Sequence, residues 1–109
     1  MTVKFFPNDR GNPPGKLADV ELHFDDGPLA GLKLIGFSVW AHRGGTERRV
    51  SFPARSYSIN GERRSFALLR PSLDMSASEP LCAEILGAFA EYEQRQQILA
   101  ARDAGQEQP

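Results

Sequence analysis

Seven arginines fall between residues 43 and 70: Arg43, Arg48, Arg49, Arg55, Arg63, Arg64 and Arg70. Only Glu47 and Glu62 oppose them, so the segment sums to 7 − 2 = +5 in a chain whose total is −1, leaving −6 for the rest. A guanidinium stays charged and offers a planar fork of donors that grips two phosphate oxygens at once. A patch of one sign on a nearly neutral chain is the footprint of an anionic partner, and a nucleic-acid backbone is the first candidate. Arg55, Arg63 and Arg64 flank one loop and form the expected phosphate set. Arg48 and Arg49, one strand over, extend it, with Arg43 at the preceding turn. Neighbouring strand residues point to opposite faces, so at most one of each adjacent arginine pair lines a given face. The alternative is a solvated strand face paired with Asp19, Glu21 or the helix glutamates.

Three aromatic residues accompany the arginines. Tyr57 sits among serines and is the candidate for stacking on an unpaired base. Trp40 and Phe52 fit core or subunit contacts better, because large aromatic side chains are usually buried.

Other chemistries lack their parts. His23 and His42 are separated by a strand and have no Asp-x-His or His-x-His spacing beside them, whereas a metal site takes three or four ligands; they read as exposed or edge histidines. Cys82, the only cysteine, falls on an apolar helix stripe with no base beside it to make a nucleophile. Ser51, Ser56 and Ser58 have no nucleophile elbow around them. Asp25 and Asp26 belong to a turn, and no phosphate-cradling glycine loop or dinucleotide fingerprint is present. The chain is expected to be non-enzymatic, with no metal and no cofactor.

With 109 residues, 40% hydrophobic and 25% charged, the chain has the length and composition of one globular domain. It has no apolar run long enough to span a bilayer and no charged-then-apolar leader. A cytoplasmic protein is expected. The pI near 6.1 confines any nucleic-acid binding to one face.

The positioning elements read as strands followed by a helix. Residues 2–6 form a short strand, and the Pro/Gly/Asn-rich stretch 7–15 is a loop. Residues 17–25 alternate, with Ala18, Val20, Leu22 and Phe24 facing one way and Asp19, Glu21 and His23 the other. Residues 32–41 are apolar on both faces and belong centrally or against a partner subunit. Gly36 within them marks a bulge or a close approach. Gly44-Gly45 turns the chain into a strand over 48–53, which Pro53 ends. Residues 54–59 read as a polar loop, Asn60-Gly61 as a turn, and 63–69 as the last strand, with Phe66 and Leu68 inward. A helix is expected over about 78–102, with Ser76 and Glu79 as a capping box and Ser78 as the competing cap. Its core stripe is Leu81, Cys82, Ile85, Leu86, Phe89 and Tyr92. Residues 104–109 form a tail. The fold class is α+β: an antiparallel sheet of four to five strands, then one C-terminal helix, in a single domain over 1–103.

This order resembles the SpoVG family, small bacterial septation and sporulation regulators, from about Thr2 to Tyr92. The opening strand Thr2 to Phe6, the turn Asn8 to Gly15 and the strand Ala18 to Asp25 follow the family's plan. Phe52-Pro53-Ala54-Arg55 looks like its Met-Pro-Ser-Lys/Arg motif. Asn60-Gly61-Glu62-Arg63 is similar to its Asp-Gly-Glu loop with a following basic residue. The chain departs from the family in two places: its His-Pro after the last strand is replaced by Leu69-Arg70-Pro71, and the helix here is longer. The resemblance implies a SpoVG-like fold and a homodimeric regulator that binds DNA or RNA. The alternative function is a protein-interaction module. Its arginines would meet an acidic partner, while the helix and the Leu32–Trp40 strand supply apolar contacts. Arginines converging on one continuous surface favour the first reading; scattered or buried arginines favour the second.

Overall fold

Strand β2 (Lys16–His23) is the centre of the packing. Its alternation puts Ala18, Val20 and Leu22 on one face, where all three are buried. The computed structural model describes residues 1–106 and shows β1 (Thr2–Pro7) and β3 (Lys33–His42) antiparallel on either side of β2. Strand β4 (Glu47–Ser51) completes a four-stranded sheet in the order β1-β2-β3-β4. The expected α+β architecture is therefore present.

Helix α1 (Glu79–Gln106) covers the apolar face. Ile85 and Phe89 are buried against Ala18, Val20, Leu22, Phe37 and Val39. Phe5 meets the rings of Phe89 and Tyr92 at 5.2 Å each, and Phe37 meets Phe52 at 5.1 Å. Edge and tilted ring packing of this kind adds to the area term. The expected stripe is the one that packs. The helix runs past the expected 102 to Gln106; residues 107–109 of the expected tail lie outside the described residues. Its approach is a 3-10 turn (Met75–Ser78) capped by Asp74, whose carboxylate accepts from the Ser76 amide at 2.9 Å and hydroxyl at 2.8 Å. The expected cap at Ser76 is thus corrected: Ser76 donates to the cap.

The largest departure from expectation is at residues 54–69. Residues 54–59 are strand β5 (Ala54–Ile59), paired with β6 (Glu62–Ala67) in a separate two-stranded sheet. Asn60 and Gly61, at φ of 52° and 79°, make the expected tight turn. Serines at alternate positions make β5 look like a loop, yet a strand needs only a partner for its backbone groups, and β6 supplies it. Because β6 pairs with β5 and not with the main sheet, Phe66 and Leu68 are exposed, contrary to their expected inward placement.

Gly36 and Pro53 meet where the two sheets part. Between Val20↔Phe37 and Leu22↔Leu34, residues 35 and 36 oppose Glu21 alone, a bulge with Gly36 at φ +105°. A Cβ on Gly36 would sit 2.7 Å from the Cβ of Pro53. Strand β4 pairs with Ser38–His42 and stops at Phe52-Pro53, so the chain leaves the sheet there. The hairpin stands apart from the sheet, and with the long helix it gives a radius of gyration of 17.0 Å against about 13 Å for a compact chain of this length.

Three outcomes are expected in denaturation. Ile85→Ala should cost about 3 kcal/mol, by lost transfer energy plus a cavity under the helix. Gly36→Ala should cost about 2 kcal/mol or more, because strain at positive φ adds to the Pro53 clash; an unchanged midpoint would show that the Gly36–Pro53 contact is loose. The Asp74 carboxyl is held below its usual range by the Ser76 amide and then the Ser76 hydroxyl. Its stabilisation is therefore complete above the unfolded-chain value of about 3.9 and is lost as pH falls through the lower folded value. The stability gap between wild type and Asp74→Ala should hold at neutral pH and close below about pH 4.

Candidate nucleic-acid interface

The expected arginines divide among three surfaces. Arg48 lies on the helix face of β4, opposite Ala41. Its Nε and Nη2 donate to Glu93 Oε1 and Oε2 at 3.1 and 2.9 Å, and Nη1 donates to the Gly45 and Glu47 carbonyls at 2.7 and 3.3 Å. The Glu93 hydrogen bonds raise its already high pKa. Every guanidinium nitrogen is engaged, so Arg48 locks the β3–β4 turn to the helix. The expectation that it extends a phosphate footprint is corrected. Its neighbour Arg49 is exposed on the opposite face, across from Trp40.

That opposite face carries mixed charge. Lys33 Nζ and His23 Nε2 lie 3.3 and 3.0 Å from Glu21 Oε1, and Lys16 Nζ lies 2.6 Å from Asp19. The His23 contact, with Lys33, holds the Glu21 carboxyl below its usual range. Trp40 is half-buried and donates to Ser51 Oγ at 2.7 Å. It is a sheet contact, and Phe52 is a core contact, as the usual burial of such rings implies. Arg43, at φ 51°, is exposed at the β3–β4 turn with Glu47 at 3.7 Å.

The hairpin brings the remaining residues together. Its register pairs Arg55 with Phe66 and Tyr57 with Arg64, so these four share one face. Each aromatic ring has an arginine opposite it and another two residues along its own strand. The Tyr57 and Phe66 rings are 5.7 Å apart, with 38% and 40% of each residue exposed. Ser56, Ser58, Ser65 and Arg63 occupy the other face. Arg63 and Arg64 therefore point apart, as neighbours in a strand must. Arg64 lies 3.1 Å from Glu62 with both side chains well exposed, a pair that contributes little and yields easily to a phosphate. Arg55 and Arg63 have no ion-pair partner among the described residues.

Phe66 is the residue that sequence reasoning missed. A two-residue Asn-Gly turn fixes which residues face each other, and counting outward from Asn60-Gly61 places Phe66 beside Tyr57. Arg70 lies at the hairpin's base, beside a groove of about 300 Å³ that Phe52, Leu69 and Leu81 also line.

Cys82 is half-buried on the helix, and no group of three or more His, Cys, Asp or Glu side chains is placed to hold a metal ion among the described residues. No described helix is long and apolar enough to cross a membrane. Comparison with known proteins finds no matching family model, no similar curated protein and no similar solved structure.

A double-mutant cycle on Arg48→Ala and Glu93→Ala should give a coupling of about 1 kcal/mol, at the upper end for a half-exposed pair because the contact is bidentate. A coupling near zero would mean that the two side chains do not hold each other in solution.

Proposed function

We propose that this protein is a small, non-enzymatic regulator that binds DNA or RNA through phosphate contacts from the arginine-rich hairpin. The observation that carries the reading is the position of Arg55, Arg63 and Arg64. They stand on a projecting two-stranded element outside the hydrophobic core. A hairpin freed from the core is available to a partner, and its fork-shaped cations suit phosphate. Arg43 and Arg49 stand on other surfaces, the β3–β4 turn and the open face of the main sheet, so the footprint is the hairpin's alone; the division of the arginines among surfaces favours the second reading below. The likeness to SpoVG proteins points the same way and implies action in the bacterial cytoplasm.

A homodimer belongs to this proposal. An isolated two-stranded hairpin is marginal in water, and among the described residues the Lys33–Phe37 stretch of β3 has no strand partner on its β4 side. A second copy would cover such surfaces. The second reading is an interaction module for an acidic protein. It is favoured by Leu68, Leu73 and Met75, exposed beyond the hairpin at 60%, 96% and 83%.

The test is titration of labelled duplex DNA, single-stranded DNA and RNA at several salt concentrations. Replacing Arg55, Arg63 and Arg64 with alanine should weaken binding. It should also flatten the log-log salt slope by about 0.7 per lost contact on a single strand, or about 0.9 on a duplex. Arg48→Ala should leave that slope unchanged. Absence of binding at low salt would overturn the proposal.

A further inference from the structure

We propose that the hairpin face formed by Arg55, Tyr57, Arg64 and Phe66 is a stacking platform for single-stranded nucleic acid. This rests on the phosphate-binding reading above and narrows it to one ligand class and one face. Two exposed rings 5.7 Å apart alternate with two guanidinium groups in a checkerboard set by the cross-strand register. Rings can take the flat faces of bases only where those bases are unpaired, and the arginines can hold the phosphates between them. Base stacking on aromatic side chains beside a basic track is how proteins grip single strands without reading sequence. In duplex DNA the bases are already stacked on each other, so a duplex can use the arginines and leaves the rings idle.

The two faces of the hairpin differ in kind. The other face carries serines and Arg63 and offers no ring. The checkerboard is complementary to a polyanion that also carries flat apolar groups. Ile59 continues the apolar track toward the turn, where Glu62 opposite it marks the end of the favourable charge.

The experiment uses the full chain and fluorescein-labelled oligothymidylate, oligouridylate and a mixed-sequence duplex, read by anisotropy at fixed salt. The expected result has three parts: the single strands bind more tightly than the duplex; Tyr57→Ala with Phe66→Ala weakens single-strand binding at least tenfold and changes duplex binding less than twofold; and Tyr57→Phe retains binding. The hairpin lies outside the core, so the thermal midpoint of each variant should match wild type, and the retained duplex binding shows that the hairpin still presents its arginines. Equal affinity for both nucleic acids, lost in Arg55→Ala with Arg64→Ala and indifferent to the rings, would overturn the platform and leave the phosphate reading standing. No binding of any oligonucleotide at low salt would overturn both. Two further results would overturn the platform by assigning this face elsewhere. One is sedimentation showing a dimer that the double aromatic variant dissociates. The other is polyglutamate competing as well as oligothymidylate.

Discussion

The close approach of Gly36 to Pro53 governs the shape of this protein. A side chain on residue 36 would collide with the proline ring, and proline cannot donate to a sheet ladder. The main sheet therefore ends on that side after five pairs between β3 and β4. The chain that would have continued along β3 turns outward instead. It must satisfy its own backbone groups, and it does so by pairing with itself across Asn60-Gly61. One missing Cβ and one missing amide proton thus separate a packed body from a projecting hairpin.

The body has little need of the arginine cluster. Its core is Ala18, Val20, Leu22, Phe37, Val39, Ile85 and Phe89, an amphipathic helix laid across one face of a four-stranded sheet. Arg48 is the exception. Its fork reaches from β4 to Glu93 on the helix while also holding the carbonyls of the turn. Arginine chemistry suits both a phosphate and a carboxylate, so the residue type alone does not tell a ligand contact from a structural one. The partner within reach decides.

Outside the core, charge is sorted by element. On the open face of the main sheet Lys16 is met by Asp19 of its own strand and Lys33 by Glu21 of the neighbouring one. On the hairpin the only acid is Glu62, near the turn. The hairpin thus carries 3 − 1 = +2 of the segment's charge, on an element that lies outside the hydrophobic core.

Local pattern determined much of this protein. Alternation identified β2, helical spacing identified the stripe that packs, and Asn60-Gly61 identified a turn, because each is a property of neighbouring residues and backbone preference. The bulge at Gly36 was also legible, since a glycine inside a strand has few other uses. The register of the hairpin was present too, in the two-residue turn, although the serines of β5 obscured it. Tertiary structure alone decided which surface each arginine occupies. Arg48 and Arg49 are adjacent and chemically identical. One is held by a carboxylate 45 residues away and the other is exposed, because the helix covers only one face of the sheet. Phe66 was likewise undetermined: an apolar residue in a strand points to a core only if a core lies beside that strand, and the Gly36–Pro53 contact sends this one elsewhere.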